Sequence, residues 1–236
     1  MKKEPHFVSL YDLSFTLIFV FLFMSVIFIS SLKEAKEKEK KSILQIIIAE
    51  KELFNEGEYV FKDESIAFYV IKTSIDSLYD LWKSDTLLKN KKIKNITVTG
   101  HTDNLDIGMK LKIKYHNLNY SNWNLSLDRA NQVINLIIEN KMLEGKEGLE
   151  YGMLLPSGKS FYMPATENIK KYLIDASKIN NIKVKDIDSL SSDEIWKYIE
   201  AKFTDKMKED LIYYCNRTPE LREKNRRIEI RLELWD

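Results

Sequence analysis

Cysteine is almost absent from this sequence of 236 residues, and its scarcity excludes several kinds of site. The single cysteine, Cys215, cannot form an internal disulfide or supply a metal cluster. The three histidines, His6, His101 and His116, show no metal-ligand spacing, so no metal site is predicted. Seven glycines and four prolines are too few for long disordered linkers or a collagen-like repeat.

An excess of charge of either sign is also missing. The 37 Lys and Arg residues are balanced by 36 Asp and Glu residues, which leaves a formal net charge of +1. This balance gives no indication of a nucleic-acid partner. No pairing of a nucleophile with a base stands out in the sequence, so we predict neither an enzyme nor a cofactor.

What the sequence does have is a long uncharged stretch near its start, over residues 13–32. About 20 apolar residues are enough for a helix to cross a hydrocarbon core of about 30 Å. A cleaved signal peptide is the competing interpretation, but its apolar region usually has only about 7–15 residues. We therefore predict a short cytoplasmic N-terminus over 1–11 and a single transmembrane helix over 12–32.

An acidic residue, Asp12, lies at the start of this predicted helix. A helix over 7–32 would be about 39 Å long, which exceeds the thickness of the membrane core and places Asp12 inside the membrane or at its edge. Carboxylates inside membranes usually face an ion path, and Thr16 lies one turn further on the same helix face. The alternative is that Asp12 only caps the helix at the membrane surface.

The remaining chain alternates between helical and strand patterns. Residues 33–57 are predicted to form a juxtamembrane helical stalk, followed by a globular domain over 58–236. Within that domain, Ser126 is predicted as the N-cap of a helix. Apolar spacing predicts helices at 65–84 and 126–143 and strands at 59–61, 93–98 and 228–234. This alternation indicates an α/β sandwich, with one sheet and helices on one of its faces.

Three sequence blocks carry a family resemblance. GHTD stands at 100–103, YSNWNLSLDRA at 120–130, and NRR followed by a strand at 225–227. Together they resemble the OmpA-like peptidoglycan-binding domain, over roughly residues 58–234. The second block, and the uncharged stretch that follows Asp12, resemble the MotB branch of these proteins. The stretch 145–218 departs from the family as an enlarged insertion, with helical segments predicted near 166–181 and 192–215.

The resemblance implies a binding site for the free end of the peptidoglycan stem peptide. In OmpA-like domains the corresponding aspartate and arginine hold this end, which makes Asp103 and Arg129 the candidates here. The other candidates for this pocket are Thr102, Asn122, Leu125 and, as a weaker one, Arg226. The alternative is that Asp103 and Arg129 only form a structural salt bridge with each other.

The resemblance to MotB also implies a motor. Asp12 and Thr16 would carry the ion, two copies of the chain would form a dimer, and MotA-like multi-span subunits of the ZorA type would be the partners. A wall-binding domain places the C-terminal part in the periplasm and the anchor in the inner membrane. The insertion and the short N-terminus favour the Zorya anti-phage system, with a flagellar stator or a passive wall anchor as alternatives.

Overall fold

The computed structural model describes residues 24–25, 42–114, 117, 119–180 and 187–235. By contacts the chain divides into two units, 1–41 with 235–236, and 42–234. The second unit contains the fold. Its elements are β1 (Ser42–Ala49), α1 (Glu50–Leu53), α2 (Glu64–Ser84), β2 (Lys92–His101), α3 (Met109–Lys114), α4 (Asn122–Glu139), a 3-10 turn (Tyr151–Met153), β3 (Leu154–Gly158), α5 (Thr166–Asn180), a 3-10 turn (Ile187–Ser189), α6 (Ser192–Lys202), α7 (Asp205–Asn216), α8 (Pro219–Asn225) and β4 (Arg227–Trp235).

The strands form a four-stranded mixed sheet in the order β1-β4-β2-β3. β1 pairs antiparallel with β4, from Ser42 opposite Leu234 to Ala49 opposite Arg227. β2 pairs parallel with β3, from Ile96 opposite Leu154 to Gly100 opposite Gly158. The predicted α/β sheet is confirmed, and so are the predicted helix at 65–84 and the predicted strands at 93–98 and 228–234.

β4 divides the sheet into an apolar and a charged face. Successive side chains of a strand point to opposite faces, so the alternation in IEIRLEL sends every second residue into the core. Ile228, Ile230, Leu232 and Leu234 are buried with apolar residues of α2 and α4. Arg227, Glu229, Arg231 and Glu233 occupy the opposite face. The helices α2 and α4 therefore cover one face of the sheet.

Helix α4 begins earlier than the sequence predicted. Ser121 is its N-cap, and the backbone N–H of Ser121 donates to Asn124 Oδ1 at 3.0 Å. The prediction that Ser126 caps this helix is wrong, because Ser126 lies buried in the helix interior. The Ser126 hydroxyl donates to the carbonyl of Trp123 at 2.8 Å and accepts from the N–H of Ser160 at 3.2 Å. Ser126 therefore joins α4 to the loop after β3.

The prediction of a helical stalk over 33–57 is wrong for the residues that the structure describes. Residues 42–49 form the edge strand β1, and only 50–53 are helical. Ile48 is buried in the core, whereas Ile47 on the opposite face is 58% exposed. Because both faces of this strand carry isoleucines, the alternation that marks a half-buried strand is lost. The described domain therefore begins at 42 rather than 58, and 59–61 contributes only a bridge between Phe54 and Phe61.

The predicted insertion over 145–218 contains both sheet and helix. It supplies β3 and the helices α5, α6 and α7. The predicted helix near 166–181 is confirmed, whereas the predicted segment 192–215 is two helices. The break lies at Phe203, which ends α6, and at Thr204, which accepts from Met207 N to begin α7. These helices share a second apolar cluster, whose buried members are Ile169, Leu173, Ile187, Ile195, Ile199, Phe203, Leu211 and Cys215.

Asn225, the first residue of the NRR block, connects the helices of this part through hydrogen bonds of its side chain. Its side-chain oxygen accepts from Ala165 N at 2.8 Å and from Asn168 Nδ2 at 2.9 Å. Its side-chain nitrogen donates to the carbonyl of Cys215 at 2.9 Å. Buried amides need such partners, so this network fixes where α8 ends and where the two following arginines begin.

Among the residues that the structure describes, no helix has the length and the apolar character needed to cross a membrane. Of the predicted transmembrane helix 12–32, only residues 24 and 25 are described, and both are helical. Asp12 and Thr16 lie outside the described residues.

Candidate ligand-binding cleft

A cleft of about 240 Å³ opens where β2 ends, beside the start of α4. The segment 50–57 and the residue before β4 complete its walls. All six residues predicted for the peptidoglycan site line it. The lining residues are Glu50, Glu56, Gly57, Thr102, Asp103, Leu105, Asp106, Ile107, Gly108, Asn122, Leu125, Arg129 and Arg226.

The carboxylate of Asp103 pairs with Arg226. Asp103 Oδ2 lies 2.8 Å from Arg226 Nη1, and Asp103 Oδ1 accepts from the N–H of Leu105 at 3.1 Å. Asp103 is 6% exposed, whereas the side chain of Arg226 is 25% exposed. Hydrogen bonds between ionised groups are stronger than neutral ones, so this pair holds the two charges side by side in the cleft wall. Arg226, predicted as the weaker candidate, is the more exposed of the two arginines.

Arg129 is held by the segment that follows β1. Its Nε donates to the carbonyl of Glu58 at 2.8 Å, and its Nη2 pairs with Glu50 Oε1. Its guanidinium carbon lies 5.4 Å from the centre of the Phe54 ring. Arg129 is only 1% exposed, so these contacts give it a structural role in joining α4 to this segment.

Glu50 is the buried charged residue of the cleft that the sequence interpretation missed. It is 4% exposed, and its two oxygens face different arginines: Oε1 pairs with Arg129, and Oε2 lies 3.1 Å from Arg226 Nε. Burial raises the pKa of Glu50, and the two arginines counteract this rise. The β-branched run Ile46–Ile48 was the available signal, because it favours a strand whose end would place Glu50 at the sheet edge.

Thr102, Asn122 and Leu125 shape the rest of the wall. Thr102 is 2% exposed, and within the described residues its hydroxyl oxygen has no hydrogen-bond partner. Asn122 is half-buried and donates from Nδ2 to the carbonyl of Leu105 at 2.7 Å. Leu125 is buried with Ile107. The wall therefore combines an apolar patch with a buried hydroxyl that has no partner within the described residues.

The charges in the cleft wall are balanced. Two guanidinium groups, of Arg129 and Arg226, face two carboxylates, of Glu50 and Asp103. At the rim, Glu56 and Asp106 have side chains that are 78% and 86% exposed, so solvent screens them strongly. A site with both signs of charge a few ångströms apart suits a ligand that is itself zwitterionic.

Gly100 allows α4 to approach the end of β2. A Cβ atom at Gly100 would lie 1.9 Å from the carbonyl oxygen of Ser126, closer than real Cβ contacts come. Gly158 on the neighbouring strand faces the same helix, where a Cβ would lie 2.7 Å from Ser126 Oγ. The two glycines thus let the helix that carries Arg129 pack against the strand that carries Asp103.

A buried charged network lies next to the cleft, around His101. His101 Nε2 lies 3.3 Å from Glu229 Oε1, and Arg227 and Arg231 contact the same carboxylate at 2.8 and 2.5 Å. Burial, with Arg227 nearby, lowers the pKa of His101 to about 4, so this imidazole is neutral at neutral pH. Burial alone would raise the pKa of Glu229, but its contacts with His101 and the two arginines outweigh burial and hold it well below its usual range.

No group of His, Cys, Asp and Glu side chains suited to a metal ion occurs among the described residues. The candidate ion-carrying residues, Asp12 and Thr16, lie outside that part of the chain, so their role stays a prediction.

No protein-family profile and no curated protein matches this sequence. Among solved structures, the chain is similar to the cell wall anchor of the T6SS from Pseudomonas aeruginosa, with 19% identity and a TM-score of 0.40. That match covers 86% of this chain and 93% of the anchor.

Two further similar structures have MotB in their names. A putative MotB-like protein from Desulfovibrio vulgaris has 14% identity and a TM-score of 0.42, covering 86% of this chain and 83% of that one. The periplasmic domain of Helicobacter pylori MotB has 17% identity and a TM-score of 0.36, covering 82% of this chain and 83% of that one. At such low identities and TM-scores, the ligand and the partners of this chain have to be inferred from its own cleft.

Proposed function

We propose that this chain is a MotB-like stator subunit that anchors an ion-driven motor to the cell wall, and that its cleft binds the peptidoglycan stem peptide. The observation that supports wall binding is the meeting of six predicted residues, drawn from three separate sequence blocks, in one cleft. They stand at 102–103, 122–129 and 226, so only the fold brings them together.

The chemistry of the cleft suits the free end of diaminopimelate, which carries an ammonium and a carboxylate. Asp103 is the acceptor for the ammonium, and a guanidinium can grip the carboxylate through two parallel hydrogen bonds. The Thr102 hydroxyl, which has no hydrogen-bond partner among the described residues, is a further polar group in this wall. A buried polar group without a partner costs about 1–3 kcal/mol, and a ligand that bonds to Thr102 recovers this cost.

The motor part of the proposal rests on the order of features along the chain. An uncharged stretch over 13–32 follows Asp12 and precedes the domain with the cleft. In the proposed function Asp12, with Thr16, binds and releases the ion inside a ring of MotA-like subunits. Two copies form the central dimer, the N-terminus is cytoplasmic, and the cleft lies in the periplasm, where the wall is.

We favour a Zorya-type defence role with a ZorA-type partner, because the enlarged insertion departs from flagellar stators. A flagellar stator and a passive wall anchor are the alternative functions. The genes that flank this one discriminate between the first two: helicase or nuclease genes favour defence, and chemotaxis genes favour motility.

Co-sedimentation of the full chain, in detergent, with purified peptidoglycan sacculi tests the wall-binding part. Asp103→Asn removes the charge that would hold the ammonium while it keeps the shape of the side chain. We expect binding to weaken roughly tenfold or more, the usual effect of losing a hydrogen bond to a charged group. Asp80→Asn is the matched control, since Asp80 is exposed on α2 and does not line the cleft.

Equal sedimentation of the Asp103→Asn variant and the unmodified chain would refute this role of the cleft. Substituting Arg129 is a poorer test. Removing the Arg129 side chain leaves Glu50 without one of its buried partners, which destabilises the fold. A loss of binding could then result from unfolding rather than from a missing ligand contact.

A further inference from the structure

Glu50 faces both arginines of the cleft from within the protein. It is the first residue of α1, directly after β1, whereas Arg129 lies on α4 and Arg226 lies just before β4. Its Oε1 is hydrogen-bonded to Arg129, whereas its Oε2 lies 3.1 Å from Arg226 Nε and has no hydrogen-bond partner among the described residues; the side chain is 5% exposed. None of the three sequence blocks includes Glu50.

The two arginines differ in how a ligand can reach them. Arg129 is 1% exposed and is engaged by Glu50 and by the carbonyl of Glu58. The side chain of Arg226 is 25% exposed and lines the cleft. The carboxylate of a ligand therefore meets Arg226 first. Arg226 already has Glu50 on its Nε and Asp103 on its Nη1, so the ligand competes with carboxylates of the protein itself.

We propose that Glu50 is a specificity-determining residue that competes with the ligand's carboxylate for Arg226, and so sets how strongly the cleft prefers stem peptides with a free terminal carboxyl over amidated ones. This inference rests on the proposed function, in which the cleft binds the end of the stem peptide. Amidation of the ε-carboxyl group removes the negative charge beside the free ammonium, and leaves that ammonium and the other carboxylates of the peptide in place. The ammonium contact with Asp103 is common to both ligands, so the ratio of the two affinities isolates the contact with arginine.

The probes are two synthetic stem tripeptides ending in meso-diaminopimelate, one with the free ε-carboxyl group and one with this group amidated. Their binding to the full chain in detergent is measured by titration calorimetry. Glu50→Gln removes the competing charge at almost constant side-chain size. We expect this variant to raise the ratio of acid to amide affinity by about tenfold, the order of effect of one charge-assisted contact.

Arg226→Gln is the complementary variant, and it should bring the acid-to-amide ratio down to about one, because the carboxylate loses its accessible partner. Asp80→Asn, exposed and away from the cleft, should leave the ratio unchanged. Thermal unfolding of each variant verifies that it is folded. If Glu50→Gln does not fold, Glu50→Asp keeps the charge but withdraws it by one methylene group, and it should raise the ratio to a smaller extent.

An unchanged or lower ratio in a folded Glu50 variant would overturn the inference, as would a ratio insensitive to Arg226→Gln. The proposed function fails separately, if the unmodified chain binds neither tripeptide. If the chain binds both tripeptides and substitutions of Glu50 leave the acid-to-amide ratio unchanged, the wall-binding role of the cleft stands and only the role of Glu50 is refuted.

Discussion

Acid should destabilise this protein through His101. The side chain is 1% exposed, and burial together with Arg227 lowers its pKa to about 4, from 6.5 in the unfolded chain. Between these two values the unfolded chain binds a proton that the folded protein excludes. The free energy of unfolding must therefore fall as the pH decreases from about 6.5 towards 4.

The size of this effect follows from the shift in the pKa. A difference of 2.5 units between 6.5 and about 4, at 1.36 kcal/mol per unit, corresponds to about 3 kcal/mol when the whole interval is crossed. Glu229 acts in the same direction but at lower pH. Its pKa is held below the ordinary 4.5, so its stabilising contribution is lost only as the pH falls below that value. Glu50, whose pKa burial raises, acts in the opposite direction above pH 4.5, so only a comparison with a variant that lacks the imidazole isolates His101.

The assay is denaturant unfolding of the full chain in detergent at several pH values between 7.5 and 4.5, compared with a His101→Gln variant. Glutamine does not titrate and retains a donor for Glu229, so the variant lacks the proton uptake of the unfolded state at this position. We expect the unmodified chain to lose about 2–3 kcal/mol more stability than the variant over this range. Parallel stability profiles, or an imidazole that titrates near pH 6.5 in the folded protein, would refute the reasoning.

Two other substitutions test the packing of the cleft and the proposed motor. Gly100→Ala should lower the free energy of unfolding by about 3 kcal/mol in a thermal or denaturant assay, because its Cβ meets the carbonyl oxygen of Ser126, whereas Gly152→Ala, with open space around it, should have little effect. A normally stable Gly100→Ala variant would contradict the close approach of α4. Asp12→Asn should abolish phage protection or motility and leave co-sedimentation with sacculi unchanged, and full activity of that variant would exclude the ion-carrying role.

The strands and helices with a clear period were predictable from the sequence. Alternation in IEIRLEL reveals β4, and apolar residues at helical spacing reveal α2. β1 was missed because its sequence, SILQIIIA, carries apolar residues on both strand faces. Such a run has no period of two, and its neighbour KEAKEKEKK favours a helix, so periodicity alone does not identify the strand that the pairing with β4 shows.

The start of α4 shows a second limit of prediction from sequence. Ser121 and Ser126 both precede apolar residues, and both are residue types that cap helices. The structure selects Ser121, because Asn124 accepts from its backbone N–H, while Ser126 is buried against the loop after β3. A local pattern offers candidates for a cap, and the packing of a distant loop decides between them.

The membership of the cleft was predictable, but its pairing was not. Motifs name residue types at positions, and the three blocks led to all six predicted residues of the cleft wall. Ion pairs depend instead on which chain segments meet. The expected alternative joined Asp103 to Arg129, yet Asp103 pairs with Arg226, 123 residues away, and Arg129 pairs with Glu50, 79 residues away.

This pairing determines whether a mutation in the cleft changes mainly the stability of the fold or mainly the binding of the ligand. A buried charge that loses its partner destabilises the fold by about 3–5 kcal/mol, whereas a half-exposed one loses mainly its contact with the ligand. Arg129, buried against Glu50, belongs to the first class, and Arg226, one quarter exposed, lies closer to the second. Because the motif marks Arg129 as the prime candidate, a scan guided by sequence alone would confuse folding with binding at this residue. Arg226 is the position at which the two can be separated.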